Sequence, residues 1–173
     1  MHTNPSPHLR SETVRDDANP QVSVTLPVCN NERFIGDAVR RPLSQACPPF
    51  EIVIDEDGSD IGTPAILAEL ARANPMTRLL RRDRRSGVAN AANWVVENTR
   101  CELVALLHAD DLCHPDRLVR PLAVMAQNPE AVFVGGPAIG ISRESDGALG
   151  EPVAACPAER LRSVRSFLDD VPA

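Results

Sequence analysis

Residues 102–118 read ELVALLHADDLCHPDRL, a short apolar run that ends on adjacent carboxylates and then enters a proline-started helical stretch. Leu103 to Leu107 is apolar without helical spacing, so it predicts a strand buried on both faces, as in a parallel sheet covered by helices. His108, Ala109, Asp110 and Asp111 then fall just beyond the carboxyl end of that strand. In open α/β sheets ligands bind at this edge, because its loops can vary without disturbing the packed layers. Two carboxylates in such a place point to a divalent cation.

Working outward, the same unit recurs. VSVTLPV, from Val22, is β-branched and alternating, and Asn30 and Asn31 after it are able to cap a helix. Phe34, Ile35, Ala38, Val39 and Leu43 then recur at helical spacing. The run Phe50 to Ile54 ends in Asp55, Glu56, Asp57, Gly58 and Ser59, again acids and a turn at a strand's carboxyl end, which completes a βαβ unit. Thr63 caps and Pro64 starts a second helix, with Ile66, Leu67, Leu70 and Ala71 on one face and Asn74 and Pro75 closing it. Thr77 to Arg81 makes a weaker third strand. Gly87 opens a third helix, lined on one side by Val88, Ala91, Ala92 and Val95. Beyond the quoted stretch, His114 or Asp111 caps a helix begun by Pro115 with Leu118, Leu122 and Met125 inward, and Ala131 to Val134 forms a fifth strand. Strands alternating with helices in this way predict an α/β fold, a mostly parallel sheet flanked by helices with right-handed crossovers. Pro42 and Pro121 fall inside expected helices, where each removes a hydrogen bond at a cost of about 3 kcal/mol unless a kink is accommodated.

Composition bounds the class. A chain of 173 residues with 43% hydrophobic content and mixed charge is a soluble globular protein with room for one full core. The net charge of −6 argues against a nucleic-acid partner, although every basic residue is arginine and lysine is absent. No apolar run approaches the roughly 20 residues that span a bilayer, and the N-terminus lacks a signal-peptide pattern, so a cytoplasmic location is expected. Cysteines at 29, 47, 101, 113 and 156 form no CxxC pair and read as reduced thiols. Cys113 and His114 beside His108 lack the spaced second pair of a zinc site. Residues 1–20, with Pro5, Pro7 and Pro20 among polar side chains, read as a disordered leader ahead of an ordered region over 21–136. In the tail, 137–173, the pattern weakens to a turn at Ser145, Asp146 and Gly147 and an arginine-rich helical stretch from Pro157 to Leu168.

Four blocks of this sequence, VSVTLPVCNNERFI, FEIVIDEDGSDIGTPAIL, SGVANAANWV and LVALLHADDLCHPDRL, followed by VFVGG, resemble the family 2 glycosyltransferases in order and spacing. The resemblance runs from about Val22 to Gly136 and implies the GT-A fold, a Rossmann-like nucleotide-sugar-binding region truncated here after its fifth strand. It makes 137–173 the start of an incomplete acceptor half. It also implies transfer of a sugar from a nucleotide-diphosphate donor, a UDP-sugar, to an acceptor hydroxyl on a glycan, lipid or protein, with inversion and with Mn2+ or Mg2+ as cofactor. Asp110 matches the metal-binding aspartate of the family's DXD motif, and Asp111 is adjacent to support the metal or cap the helix. Asp57 matches the residue that hydrogen-bonds the base, and Glu56 stands where an aspartate is usual. Pro27 and Asn31 match the floor for base and ribose, and His108 stands at the first acid of DXD, in the same nucleotide-binding set. Taken alone, each of these is also a turn acid, a strand end or a helix cap.

Several family positions differ. His108 removes a charge from DXD, Cys29 replaces a tyrosine, Asp60 and Ile61 replace Thr-Asp, and Ala92 and Val95 replace an arginine and a glycine. No residue matches the family's general base, since Asp169 and Asp170 have a different context; a hydroxyl nucleophile needs such a base within hydrogen-bond reach. The alternative reading is therefore a truncated or degenerate GT-A domain that binds nucleotide at most. Arginines 78, 81, 82, 84 and 85 either attract a diphosphate or form a solvated face, and Trp94 is expected to be core or packing surface.

Overall fold

The apolar runs become strands of one sheet because each is too short and too β-branched for a helix and is separated from the next by a helical segment. A computed structural model of the chain describes residues 21–60, 62–136, 138–143 and 149–156. In a first unit, ending at Leu118, β1 (Val22–Val28), α1 (Ile35–Leu43), β2 (Glu51–Asp57), α2 (Thr63–Ala73), β3 (Thr77–Arg82), α3 (Val88–Glu97) and β4 (Leu103–Leu106) alternate along the chain. Their strands pair in parallel in the order β3-β2-β1-β4. Val24, Leu26, Ile52, Val53 and Ile54 in the two central strands are wholly buried, with Ile35, Leu67 and Val95 packed from the helices. Each such side chain contributes roughly 1.5–3 kcal/mol by leaving water.

The register decides what meets at the sheet ends. Asp57 of β2 lies opposite Arg82 of β3, and Thr25 of β1 opposite Leu106 of β4, so continuing the ladder sets Pro27 level with His108. At the amino ends, Ser23 lies opposite Glu51. There the buried Glu51 carboxylate accepts from Ser23 Oγ at 2.8 Å, the Arg100 N–H at 2.7 Å and Arg78 at 2.7 Å. Burial pushes this carboxyl up, but these donors outweigh it and hold it below its ordinary value.

Several expectations are corrected. β4 is half-exposed, with Leu106 41% exposed, because it is an edge strand whose ladder among the described residues runs only to β1. Thr63 does not cap α2; Gly62 precedes the helix, and the carboxylate of Glu32 from another loop accepts from the Thr63 N–H at 3.2 Å. Neither Asn30 nor Asn31 caps α1 with its side chain. Trp94 is 41% exposed on α3, which removes core and leaves packing surface of the two places expected for it. Pro42 does lie inside a helix as expected, in the last turn of α1. Pro121 sits in the first turn of α4 (Val119–Gln127), where a backbone N–H has no helical partner to lose.

The second unit starts at Val119 and contains α4 and an antiparallel pair, β5 (Ala138–Arg143) and β6 (Leu149–Cys156), with irregular register around Ile141. Ala131–Val134, expected as a strand, is irregular: Val132 and Phe133 are 73% and 72% exposed, and no strand pairs with this segment among the described residues. The leader 1–20, the turn at 145–147 and the stretch 157–168 lie outside the described residues.

Candidate functional site

The carboxyl ends of β1, β2 and β4 carry loops that must share one edge of the sheet, and cross-loop hydrogen bonds hold them there. Asn30, at φ 55°, takes a left-handed conformation that asparagine tolerates, and its amide exchanges two hydrogen bonds with Asp60. The Asn30 N–H donates to Ser59 Oγ at 3.1 Å, and the Ser59 N–H in turn donates to the Glu56 carboxylate. Glu56 is therefore a buried brace for the turn after β2, and it does not line the cleft described below.

Asp57 is anchored from the other side. It accepts from the Ser86 N–H at 2.7 Å and the Gly87 N–H at 3.0 Å, and Arg82 lies 3.1 Å from it. Burial pushes the Asp57 carboxyl up, yet the two N–H donors and the Arg82 guanidinium hold it below the ordinary carboxylate value. Arg82 also grips the fully buried Asp55 through both Nε and a terminal nitrogen. Gly58, at φ +63°, allows the backbone of Arg84 and Arg85 to pass so close that a Cβ would lie 2.6 Å from the Arg85 nitrogen. The loop after β3 is thus pressed against the end of β2.

Between these loops lies a cleft of about 170 Å³. Pro27, Asn31, Asp57, His108 and Asp110 line it, joined by Cys29, Ala109 and, from the β3–α3 region, Arg85, Val88 and Ala91. Ala109 is buried while His108 and Asp110 on either side are exposed, so the turn plants its middle residue and frees its flanks. Asp111 is exposed, its N–H donating to the His108 carbonyl at 3.2 Å, and it does not line the cleft. Sequence reasoning named Arg85 only among five arginines and missed the donors Ser86 and Gly87. Their signal was the position of Gly87 just after β3, since neighbouring parallel strands bring their following loops together.

The volume lies below the 300–1,000 Å³ usual for a whole small-molecule ligand, so the cleft of this unit accommodates part of one. Among the described residues no group of three His, Cys, Asp or Glu side chains is gathered to hold a metal ion. Mg2+ and Mn2+ need no such cage when they travel with phosphates: one or two carboxylates suffice, with phosphate oxygens and water completing the shell. Asp110 fits that role, and Asp111 stands beside it.

Among the described residues Cys29, Cys101 and Cys113 are free thiols. Among the described residues no helix is long and apolar enough to cross a membrane.

The family model for glycosyl transferase family 2 matches residues 23–163. The chain is 32% identical to TuaG of Bacillus subtilis over 62% of its own length and 43% of that protein's. It is 33% identical to the succinoglycan biosynthesis protein ExoO of Rhizobium meliloti over 60% of this chain and 29% of ExoO. It therefore spans less than half the length of either relative. Among solved structures, the mannosyltransferase PcManGT of Pyrobaculum calidifontis, determined with GDP-Man and Mn2+, superposes with a TM-score of 0.58 at 26% identity, covering 62% of this chain and 33% of that one.

Proposed function

The chain belongs to glycosyl transferase family 2, and from that premise we propose that its cleft binds a nucleotide-diphosphate sugar, a UDP-sugar, for transfer to an acceptor hydroxyl with inversion, assisted by Mn2+ or Mg2+. The observation that carries the reading is convergence: residues from all four sequence blocks, Pro27 and Asn31, Asp57, Val88 and Ala91, and His108 and Asp110, line one cleft at the ligand-binding edge of the sheet.

In this reading Asp57, held rigid by the Ser86 and Gly87 N–H groups, accepts from a ring N–H of the base, and Pro27 and Asn31 form the wall beside base and ribose. A carboxylate already oriented by the backbone loses little freedom when it binds. His108 and Asp110 face the remainder of the donor, with Asp110 and Asp111 the residues that would hold the cation. The cation, when bound, neutralises the charge that gathers on the leaving diphosphate. PcManGT was determined with GDP-Man and Mn2+, which supports a nucleotide-sugar and a divalent metal for this chain in kind.

A second reading, nucleotide binding without sugar transfer by this chain alone, is favoured by one feature of the cleft. Of its carboxylates among the described residues, Asp57 accepts from two backbone donors and in this reading from the base, and Asp110 would hold the cation, which leaves neither to deprotonate an acceptor hydroxyl.

A thermal melt with UDP and Mn2+, and in parallel with GDP and Mn2+, tests the nucleotide step. A ligand at a hundred times its dissociation constant adds about 2.7 kcal/mol, a rise of several degrees for a domain of this size. UDP with Mn2+ should produce that rise, and Asp110→Ala should remove it. No shift with any nucleoside diphosphate overturns the proposal.

A further inference from the structure

We infer that Arg85 is a donor-binding residue that takes the diphosphate of the nucleotide; this rests on the nucleotide-sugar reading above. The cleft carries two carboxylates, Asp57 and Asp110, and a diphosphate brings further negative charge to it. A divalent cation on Asp110 would offset part of that charge, and a protein cation in the lining would add to it. The nearby arginines are either paired or, like Arg84, outside the cleft, except in one place. Arg78 is paired with Glu51 at the amino ends of the strands, Arg81 donates to the Pro64 carbonyl at 2.9 Å, and Arg82 is held by Asp55 and Asp57. Arg85 alone among the arginines lines the cleft, and its guanidinium makes no hydrogen bond or ion pair among the described residues.

Its position is built. Gly58 lets the Arg85 backbone nitrogen approach within the space a Cβ would need, and the next two residues, Ser86 and Gly87, donate their N–H groups to Asp57. The backbone under Arg85 is thus fixed on both sides, while the side chain is left exposed at the cleft. A planar guanidinium on a fixed backbone suits two phosphate oxygens at once.

Titration calorimetry of the full chain with UDP and with uridine tests this. Arg85→Ala should weaken UDP roughly ten- to hundred-fold and leave uridine unchanged. Arg85→Lys should recover part of the loss, and Arg84→Ala, one residue outside the cleft, should match the native chain. The melting temperature of each free variant separates lost binding from lost folding. UDP affinity indifferent to Arg85, or an equal loss of uridine, overturns the inference while leaving the nucleotide reading standing. A native chain that binds neither UDP nor GDP removes both.

Discussion

Gly58 shows how one residue without a side chain shapes the cleft. Its φ of +63° lies where L-residues are strained, and a Cβ would meet the Arg85 nitrogen at 2.6 Å and the Arg84 carbonyl carbon at 2.9 Å. Both atoms are backbone and cannot swing away. Gly58→Ala should therefore cost about 1–3 kcal/mol in a denaturant melt and weaken nucleotide binding as well, because relief of the clash displaces the loop that carries Arg85. A variant as stable as the native chain would disprove this close approach. Asp57 illustrates the complementary case, a carboxylate whose acceptor capacity is largely used by the protein, so that its orientation is set before any ligand arrives. Its acidity was legible in the DG pair; the identity of its donors was not.

At the scale of elements, the loop after β4 is fastened to α1 by a single side chain. Gln45 is buried, donates to the His114 carbonyl at 2.8 Å and to Cys113 Sγ at 3.4 Å, and accepts from the Leu118 N–H at 3.1 Å. The Ala46 N–H adds a bond to the Pro115 carbonyl at 3.0 Å. This staple lies directly after Asp110 and Asp111 in the chain, so it limits how far their loop can wander. Gln45→Ala would leave the Leu118 N–H and the His114 carbonyl without their partner, a loss of roughly 1–3 kcal/mol. Hydrogen exchange should show the Leu118 amide protected in the native chain and faster in the variant; equal protection would remove the staple from the account. A glutamine between a helix and a Cys-Pro-Pro loop carries no sequence signal of this role. β4 is the opposite example: its apolar run was readable, but its place at the sheet edge depends on which strands pair, and that left Leu106 exposed.

Across the whole first unit, buried carboxylates sit at both ends of the sheet and respond differently to pH. Glu51 at the amino ends and Asp57 at the carboxyl ends are both held below their ordinary values, 4.5 and 3.8, so each contributes stability that is present above those values and lost as the pH falls through the lowered ones. Asp55 is pushed up by burial against the pull of Arg82, so its contribution is present below 3.8 and fades as the pH rises through the raised value. A single variant isolates one of these. Glu51→Gln should melt below the native chain at pH 7, by roughly 1–3 kcal/mol from lost charge-assisted hydrogen bonds, and the gap should close as the pH drops below about 4.5. A gap independent of pH would assign the loss to packing instead.

What the sequence by itself determined is the alternation of strands and helices through Leu106 and the acidic ends of β2 and β4, because hydrophobic period and turn chemistry are properties of a few neighbouring residues. The same local logic failed at Ala131–Val134, where a β-branched run found no strand to pair with among the described residues. Only the tertiary structure decided what each acid does. Asp57 finds its donors 29 and 30 residues further along, and Asn30 finds Asp60 across 30 residues. Parallel pairing joins such distant loops at one edge of the sheet, and that is how Glu56 became a brace, Arg82 a clamp and Arg85 part of the cleft lining.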